Sequence, residues 1–172
     1  MAPLRPWDAL PSGAVGPRFS PVIALTALFV AVLSVAVVFG TDVFFTVVGR
    51  RALAHTSAPA MLETMGRVHE VADRRMPVFG VLGIAGGVLA IALAPTSRAA
   101  AFTALGAQLL WLAVYLTINK PVNVRMTDAA RAGVSSSDGR SWQKRWESAL
   151  IPRSLLMAVA LVALLLAIVS VH

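Results

Sequence analysis

Two groups of polar side chains stand at the ends of long apolar runs, and the first carries residue types that can move protons. His69, Asp73 and Met76 are four and three residues apart, so a helix places them on one face. A carboxylate one turn from an imidazole can fix its tautomer and raise its basicity, as a general base requires. A surface helix whose His and Asp meet lipid headgroups or neighbouring arginines is the simpler alternative. The spacing therefore predicts a candidate base, His69, with Asp73 as its orienting partner.

The second group is the pentapeptide Asn119-Lys120-Pro121-Val122-Asn123, which follows the apolar run that ends at Ile118. Two amides, a cation and a proline at such a boundary indicate a site. The same types also suit ordinary structure, because asparagine caps helices, proline favours a first turn and lysine reaches lipid headgroups. The pattern leaves a binding site and a helix boundary both open.

A polar and aromatic stripe leads into this pentapeptide. Its members are Gln108, Trp111, Tyr115 and Asn119, which share one helical face and which we expect to point into a helix bundle. Such residues either line a cavity or bond neighbouring helices. Both interpretations stay open at this point.

A further group of aromatic and basic residues precedes the last apolar run. It consists of Trp142, Arg145, Trp146 and Arg153. These residue types fit an anchor at the membrane interface, and they also fit the rim of a site for an anionic, planar aromatic ligand. The sequence does not choose between the two.

The elements that must position these residues are membrane helices. The chain has 172 residues, of which 58% are hydrophobic and 13% charged. Four apolar stretches reach the roughly 20 residues that a bilayer span needs, at about 21–48, 77–94, 99–118 and 154–171. We therefore predict an all-α, integral membrane four-helix bundle over residues 21–172, with short cytoplasmic amphipathic helices. Residues 1–20 hold four prolines and two glycines, a composition typical of a flexible arm.

The charge pattern predicts an orientation in the cell membrane. Twelve of the fifteen lysines and arginines lie in the segments 49–76 and 119–153. The positive-inside rule places these two large basic loops in the cytoplasm and both termini outside. Because the net charge of +7 is concentrated beside apolar runs, we expect the lipid bilayer as its partner and no nucleic acid. A homo-oligomer is left open.

Composition also excludes several kinds of reaction and one class of membrane protein. There is no cysteine, which excludes disulfides, thiolate catalysis and cysteine-ligated metals. The interiors of the four apolar runs carry almost no ionisable residue, whereas proton-coupled carriers usually place one near the bilayer centre. This pattern argues against a transporter.

Taken in order, these elements resemble the anthrone oxygenase-like family of small four-span membrane proteins. The resemblance covers about residues 22–170. It is carried by Gly40-Thr-Asp42-Val-Phe-Phe45, His69-Glu-Val-Ala-Asp73-Arg-Arg-Met76-Pro77, Ile118-Asn-Lys-Pro-Val-Asn123 and Trp142-Gln-Lys-Arg-Trp146 followed by Arg153. One departure is Lys120, where the family more often has an apolar residue before the proline.

The resemblance implies oxidation of an aromatic polyketide-type substrate to a quinone by molecular oxygen, with no cofactor required. In that chemistry His69, oriented by Asp73, would be the base. The enolate and peroxide oxygens would be held by Asn119, Asn123 and Arg153. The substrate would be bound by Phe44, Phe45, Trp111, Tyr115, Lys120, Trp142, Arg145 and Trp146.

Two alternatives to this chemistry stay open. One is a haem-binding membrane oxidoreductase in which His69 is the axial ligand; without haem, no metal site is expected. The other is a structural or partner-binding membrane protein without catalytic activity.

Overall fold

The computed structural model describes residues 21–134 and 136–171, which form an all-helical four-helix bundle. This confirms the predicted fold class, while the predicted arm over residues 1–20 lies outside the described residues. The helices are α1 (Pro21–Phe44), α2 (Arg50–Ala54), α3 (Ala58–Arg75), α4 (Pro77–Leu93), α5 (Arg98–Val114), α6 (Lys120–Ala132), α7 (Gly139–Ser148) and α8 (Leu150–Val169).

Within the described part of the chain, four helical stretches are long and apolar enough to cross a membrane: Val22–Ala54, Ala58–Leu93, Pro95–Ala132 and Gly139–Val169. Each contains most or all of one predicted span. At 1.5 Å per residue, 36 residues are about 54 Å long, well beyond the roughly 30 Å of a hydrocarbon core. The stretches are longer than predicted because each apolar helix is joined to a second, more polar helix. The pairs are α1 with α2, α4 with α3, α5 with α6 and α8 with α7. These four extensions meet at one end of the bundle, which we call the polar end.

Small residues allow the apolar halves to pack closely. A Cβ added at Gly86 of α4 would lie 2.6 Å from the carbonyl oxygen of Ala27 and 2.7 Å from Cβ of Ala31 in α1. Only glycine permits such an approach of two helices. The apolar core contains mainly alanine, valine and leucine from α1, α5 and α8. A second cluster, in which Met61, Met65 and Met126 are fully buried, fills the polar end.

Two helices contain a π-helical turn next to the polar end. These turns are Phe45–Gly49, after α1, and Tyr115–Asn119, after α5. In the second turn the backbone N–H of Lys120 donates to the carbonyl oxygen of Tyr115, five residues back. The helix thus passes through the pentapeptide, and the side chain of Asn119 makes no capping hydrogen bond. The interpretation of Asn119 as a helix cap is therefore wrong. Such π turns occur frequently at functional sites.

Candidate functional site

A cavity of about 210 Å³ lies inside the bundle, where the apolar halves meet the polar end. Residues from α1, α3, α4, α5 and α8 line it, with contributions from α6, α7 and both π turns. Eight of the predicted site residues are among them: Phe45, His69, Asp73, Trp111, Tyr115, Asn123, Trp146 and Arg153. Residues that are up to 122 positions apart in the sequence, Val35 and Met157, thus share one cavity.

His69 is the buried base candidate of this cavity. Its side chain is 3% exposed, and its Nε2 atom has no hydrogen-bond partner among the described residues. The ring lies 5.3 Å from the Trp146 ring, centroid to centroid. Buried polar atoms nearly always have a partner, so an unpaired imidazole nitrogen at a cavity suits a ligand.

Asp73 is held by three donors, none of which is His69. Its Oδ1 atom accepts hydrogen bonds from the Tyr115 hydroxyl at 2.7 Å and from Nδ2 of Asn123 at 2.9 Å. Its Oδ2 atom accepts one from Nζ of Lys120 at 3.0 Å. The expectation that Asp73 orients His69 has no hydrogen bond to support it among the described residues. Asp73 instead joins α3 to the π turn and to the start of α6.

Arg153 forms the most buried ion pair of the described residues, with a carboxylate from the first span. One of its terminal nitrogens donates to Oδ1 of Asp42 at 2.5 Å, and Nε1 of Trp111 donates to Oδ2 of the same carboxylate at 2.8 Å. The Nε atom of Arg153 is buried and has no hydrogen-bond partner in the described part of the chain. The guanidinium is thus fixed in place and keeps one donor free.

Aromatic rings form much of the cavity wall. Trp111 and Tyr115 are stacked at 5.7 Å with an interplanar angle of 3°. The guanidinium carbon of Arg153 lies 5.1 Å and 5.8 Å from the centroids of these two rings. Phe45 contacts Trp146 edge-on at 5.2 Å. Flat apolar walls with a few fixed donors suit a planar ligand that carries one polar group.

The remaining predicted site residues do not line the cavity. Phe44 is 54% exposed, because successive helical residues point about 100° apart and Phe45 takes the inward position. Asn119 is fully buried, and its Nδ2 atom donates to the carbonyl oxygen of Trp146 at 3.2 Å. Lys120 is paired with Asp73 at the edge of the site. None of these three residues lines the cavity, so their direct contact with a substrate stays a prediction.

The two other residues outside the cavity belong to α7. Trp142 packs against the methionine-rich cluster at the polar end. Arg145 is exposed on the outer surface of the helix. Of α7, only Trp146 lines the cavity, and substrate contact by Trp142 and Arg145 stays a prediction.

The most important cavity residue that the prediction missed is Asp42. A carboxylate that follows twenty uncharged residues of an apolar helix is costly unless it is paired, and this was the available signal. Its partner, Arg153, lies 111 positions away, and the sequence alone did not connect them. Met76, Phe79, Gln108 and Met157 also line the cavity. Among the described residues, no cluster of three or more His, Asp or Glu could hold a metal ion.

Comparison with known proteins gives no relative: no family model, no curated protein and no solved structure matches this chain.

Proposed function

We propose that the protein is a membrane-embedded, anthrone oxygenase-like enzyme that oxidises a small planar aromatic substrate to a quinone with molecular oxygen. The observation that carries the proposal is the unpaired Nε2 atom of His69, buried beside a cavity walled by aromatic rings. The family resemblance of the sequence agrees with this chemistry. At about 210 Å³ the cavity is below the roughly 300–1,000 Å³ of typical small-molecule sites, which favours a compact, flat substrate.

The reaction begins with a proton transfer. An anthrone carries an acidic CH2 group between two aryl rings, and Nε2 of His69 takes one of its protons. The negative charge moves to the carbonyl oxygen, where the free Nε–H of Arg153 can donate to it. Because Asp42 and Trp111 already fix the guanidinium, this donor needs little reorganisation.

Oxygen then reacts with the enolate directly. The enolate passes one electron to O2, and the resulting carbon radical and superoxide combine to form a C–O bond. The peroxide takes a proton from the His69 imidazolium. Removal of the second C–H proton then breaks the O–O bond and forms the new carbonyl, so that anthrone and O2 yield anthraquinone and water. The aromatic walls exclude bulk water from the enolate.

The ion pairs of Arg153 and Lys120 support the haem alternative less well than the oxygenase proposal. Haem propionates are usually paired with arginine or lysine, and among the described residues that line the cavity the charge of the only such side chain, Arg153, is already neutralised by Asp42. Arg153 is paired with Asp42, and Lys120 is paired with Asp73. These pairs favour the oxygenase proposal over His69 as an axial haem ligand.

We also propose that the polar end of the bundle faces the cytoplasm. This end carries the two basic segments, 49–76 and 119–153, and cytoplasmic loops of membrane proteins are rich in lysine and arginine. The cavity then lies on the cytoplasmic side of the bilayer.

The function is tested by measuring the turnover of anthrone by the protein in lipid nanodiscs. Oxygen uptake and mass spectrometry of the quinone are the two readouts. Wild-type protein should accelerate the reaction over protein-free nanodiscs. His69→Ala should lose about 100-fold or more of this activity, since a general base contributes typically 10²–10⁴-fold. His55→Ala is the matched control, because His55 is exposed after α2. Wild-type activity at the protein-free rate, or full activity in His69→Ala, would leave a structural role as the better account.

A further inference from the structure

One side of the cavity is open, and the exposed residues that line it there lie on α4 and the C-terminal half of α3. Cavity residues from α1 and α8, such as Val35 and Met157, are each 2% exposed. In contrast, Val81 of α4 lines the cavity and is 65% exposed. The cavity therefore reaches the outer surface of the bundle beside α4.

Two glycines of α4 locate the opening. A Cβ added at Gly83 would lie 2.6 Å from Oε1 of Gln108 in α5, so the two helices touch there. One turn earlier, a Cβ added at Gly80 would meet no described atom within 4 Å beyond its own stretch of helix, although Gly80 lines the cavity. The contact between α4 and α5 thus opens within a single turn, at Gly80.

The rim of this opening is apolar. Cavity residues from α3 and α4 that are exposed at this edge are Val68, Pro77 and Val81. Val78 of α4 is exposed one residue after Pro77, and Leu109 and Leu116 are exposed one residue after the buried Gln108 and the cavity residue Tyr115. In a bilayer an apolar surface on a membrane helix faces acyl chains rather than water.

We propose that the cavity is filled from the lipid phase, through a lateral portal between α4 and α5 at Gly80. Its ligands are flat, apolar aromatic molecules that partition into the bilayer and carry one polar group for His69 and Arg153. That these aromatic molecules are substrates, and not merely ligands, rests on the proposed function. The portal itself rests on the geometry of α4 and α5.

The test narrows the portal without touching the polar groups of the cavity. Gly80→Ala, Gly80→Leu and Gly80→Phe place increasing volume in the open space at the rim. Gly106 of α5 is the matched control, because it is exposed and a Cβ there also meets no atom within 4 Å. The probe is 1-aminoanthracene, whose binding to protein in nanodiscs is followed by its fluorescence and by stopped-flow association.

The portal predicts a progressive loss of association rate from Ala to Leu to Phe at position 80, with wild-type rates for the same series at position 106. If Gly80→Phe does not fold, Gly80→Leu decides the comparison. Equal association rates in the two series, or no binding of the probe to wild-type protein, would overturn the portal. Portal-dependent binding without turnover of anthrone would support the portal and count against the proposed function. If the position-80 variants turn over anthrone as fast as the wild type, the proposed function is supported and the portal is not.

Discussion

At the scale of single residues, the buried ion pair between Asp42 and Arg153 explains how a charged donor is held inside an apolar bundle. Both side chains are almost fully buried, and the carboxylate is further satisfied by Trp111. Removing one partner of such a pair leaves an uncompensated buried charge, whereas replacing both by apolar residues is often tolerated. Asp42 is thus a positioning residue for Arg153.

We expect Asp42→Asn to lower the free energy of unfolding by about 3–5 kcal/mol, since the guanidinium loses its buried counter-charge. Unfolding in mixed detergent micelles, followed by circular dichroism, measures this change. Asp128→Asn, at an exposed position of α6, should behave as wild type. The double variant Asp42→Leu with Arg153→Met, in which both partners are apolar, should recover much of the loss. An Asp42→Asn protein as stable as the wild type would show that the pair does not hold the structure.

At the scale of helices, the polar end depends on a close contact between α3 and α6. A Cβ added at Gly66 would lie 2.4 Å from both the carbonyl oxygen of Met126 and Cβ of Ala130. The hydroxyl of Thr127 donates to the carbonyl oxygen of Gly66 at 3.3 Å across the same contact. This approach places α6 where Asn123 can reach Asp73 on α3.

Gly66→Ala should therefore destabilise the protein by about 1–3 kcal/mol, because the extra methyl group forces the two helices apart. Gly106→Ala adds the same group where no atom lies within 4 Å, and it should be neutral or mildly stabilising through helix propensity. Thermal unfolding of both variants in one detergent makes the comparison. Equal melting temperatures for the two would contradict the close contact.

Helix periodicity predicted part of the site correctly and failed where distant segments had to be connected. Gln108 and Asn119 are buried, and Trp111 and Tyr115 line the cavity, as the stripe on one face predicted. The pairing of Asp73 with Lys120, and of Asp42 with Arg153, depends on the packing of separate helices, which no local pattern contains. The sequence also did not predict the π turn Tyr115–Asn119, which lets the helix continue through the pentapeptide.

At the scale of the whole molecule, the four charged extensions that the structure describes, α2, α3, α6 and α7, gather at one end. Hydropathy predicted the four-helix bundle because apolar length is a strong local signal. The exact ends of the helices were harder to predict, since α3 and α6 are amphipathic and are stabilised by contact with each other. The orientation of the bundle in the membrane is a separate question from its fold.

The proposed orientation predicts which loops an impermeant thiol reagent reaches in intact spheroplasts. The chain has no cysteine, so single introduced thiols report their own position. Thr96→Cys, in the exposed turn between α4 and α5, should be labelled from outside. Ser137→Cys, in the exposed loop between α6 and α7, should be labelled only after the membrane is permeabilised. The opposite pattern would invert the proposed orientation.

The central claim is that His69 takes a proton from a substrate held in the aromatic cavity, and it can be tested without oxygen. Anthrone deuterated at its CH2 group is incubated anaerobically with protein in nanodiscs, and the loss of deuterium to water is followed by mass spectrometry. We predict that wild-type protein and His55→Ala accelerate the exchange over protein-free nanodiscs, and that His69→Ala does not. Exchange at the protein-free rate with wild-type protein, or equally fast exchange with His69→Ala, would contradict the claim.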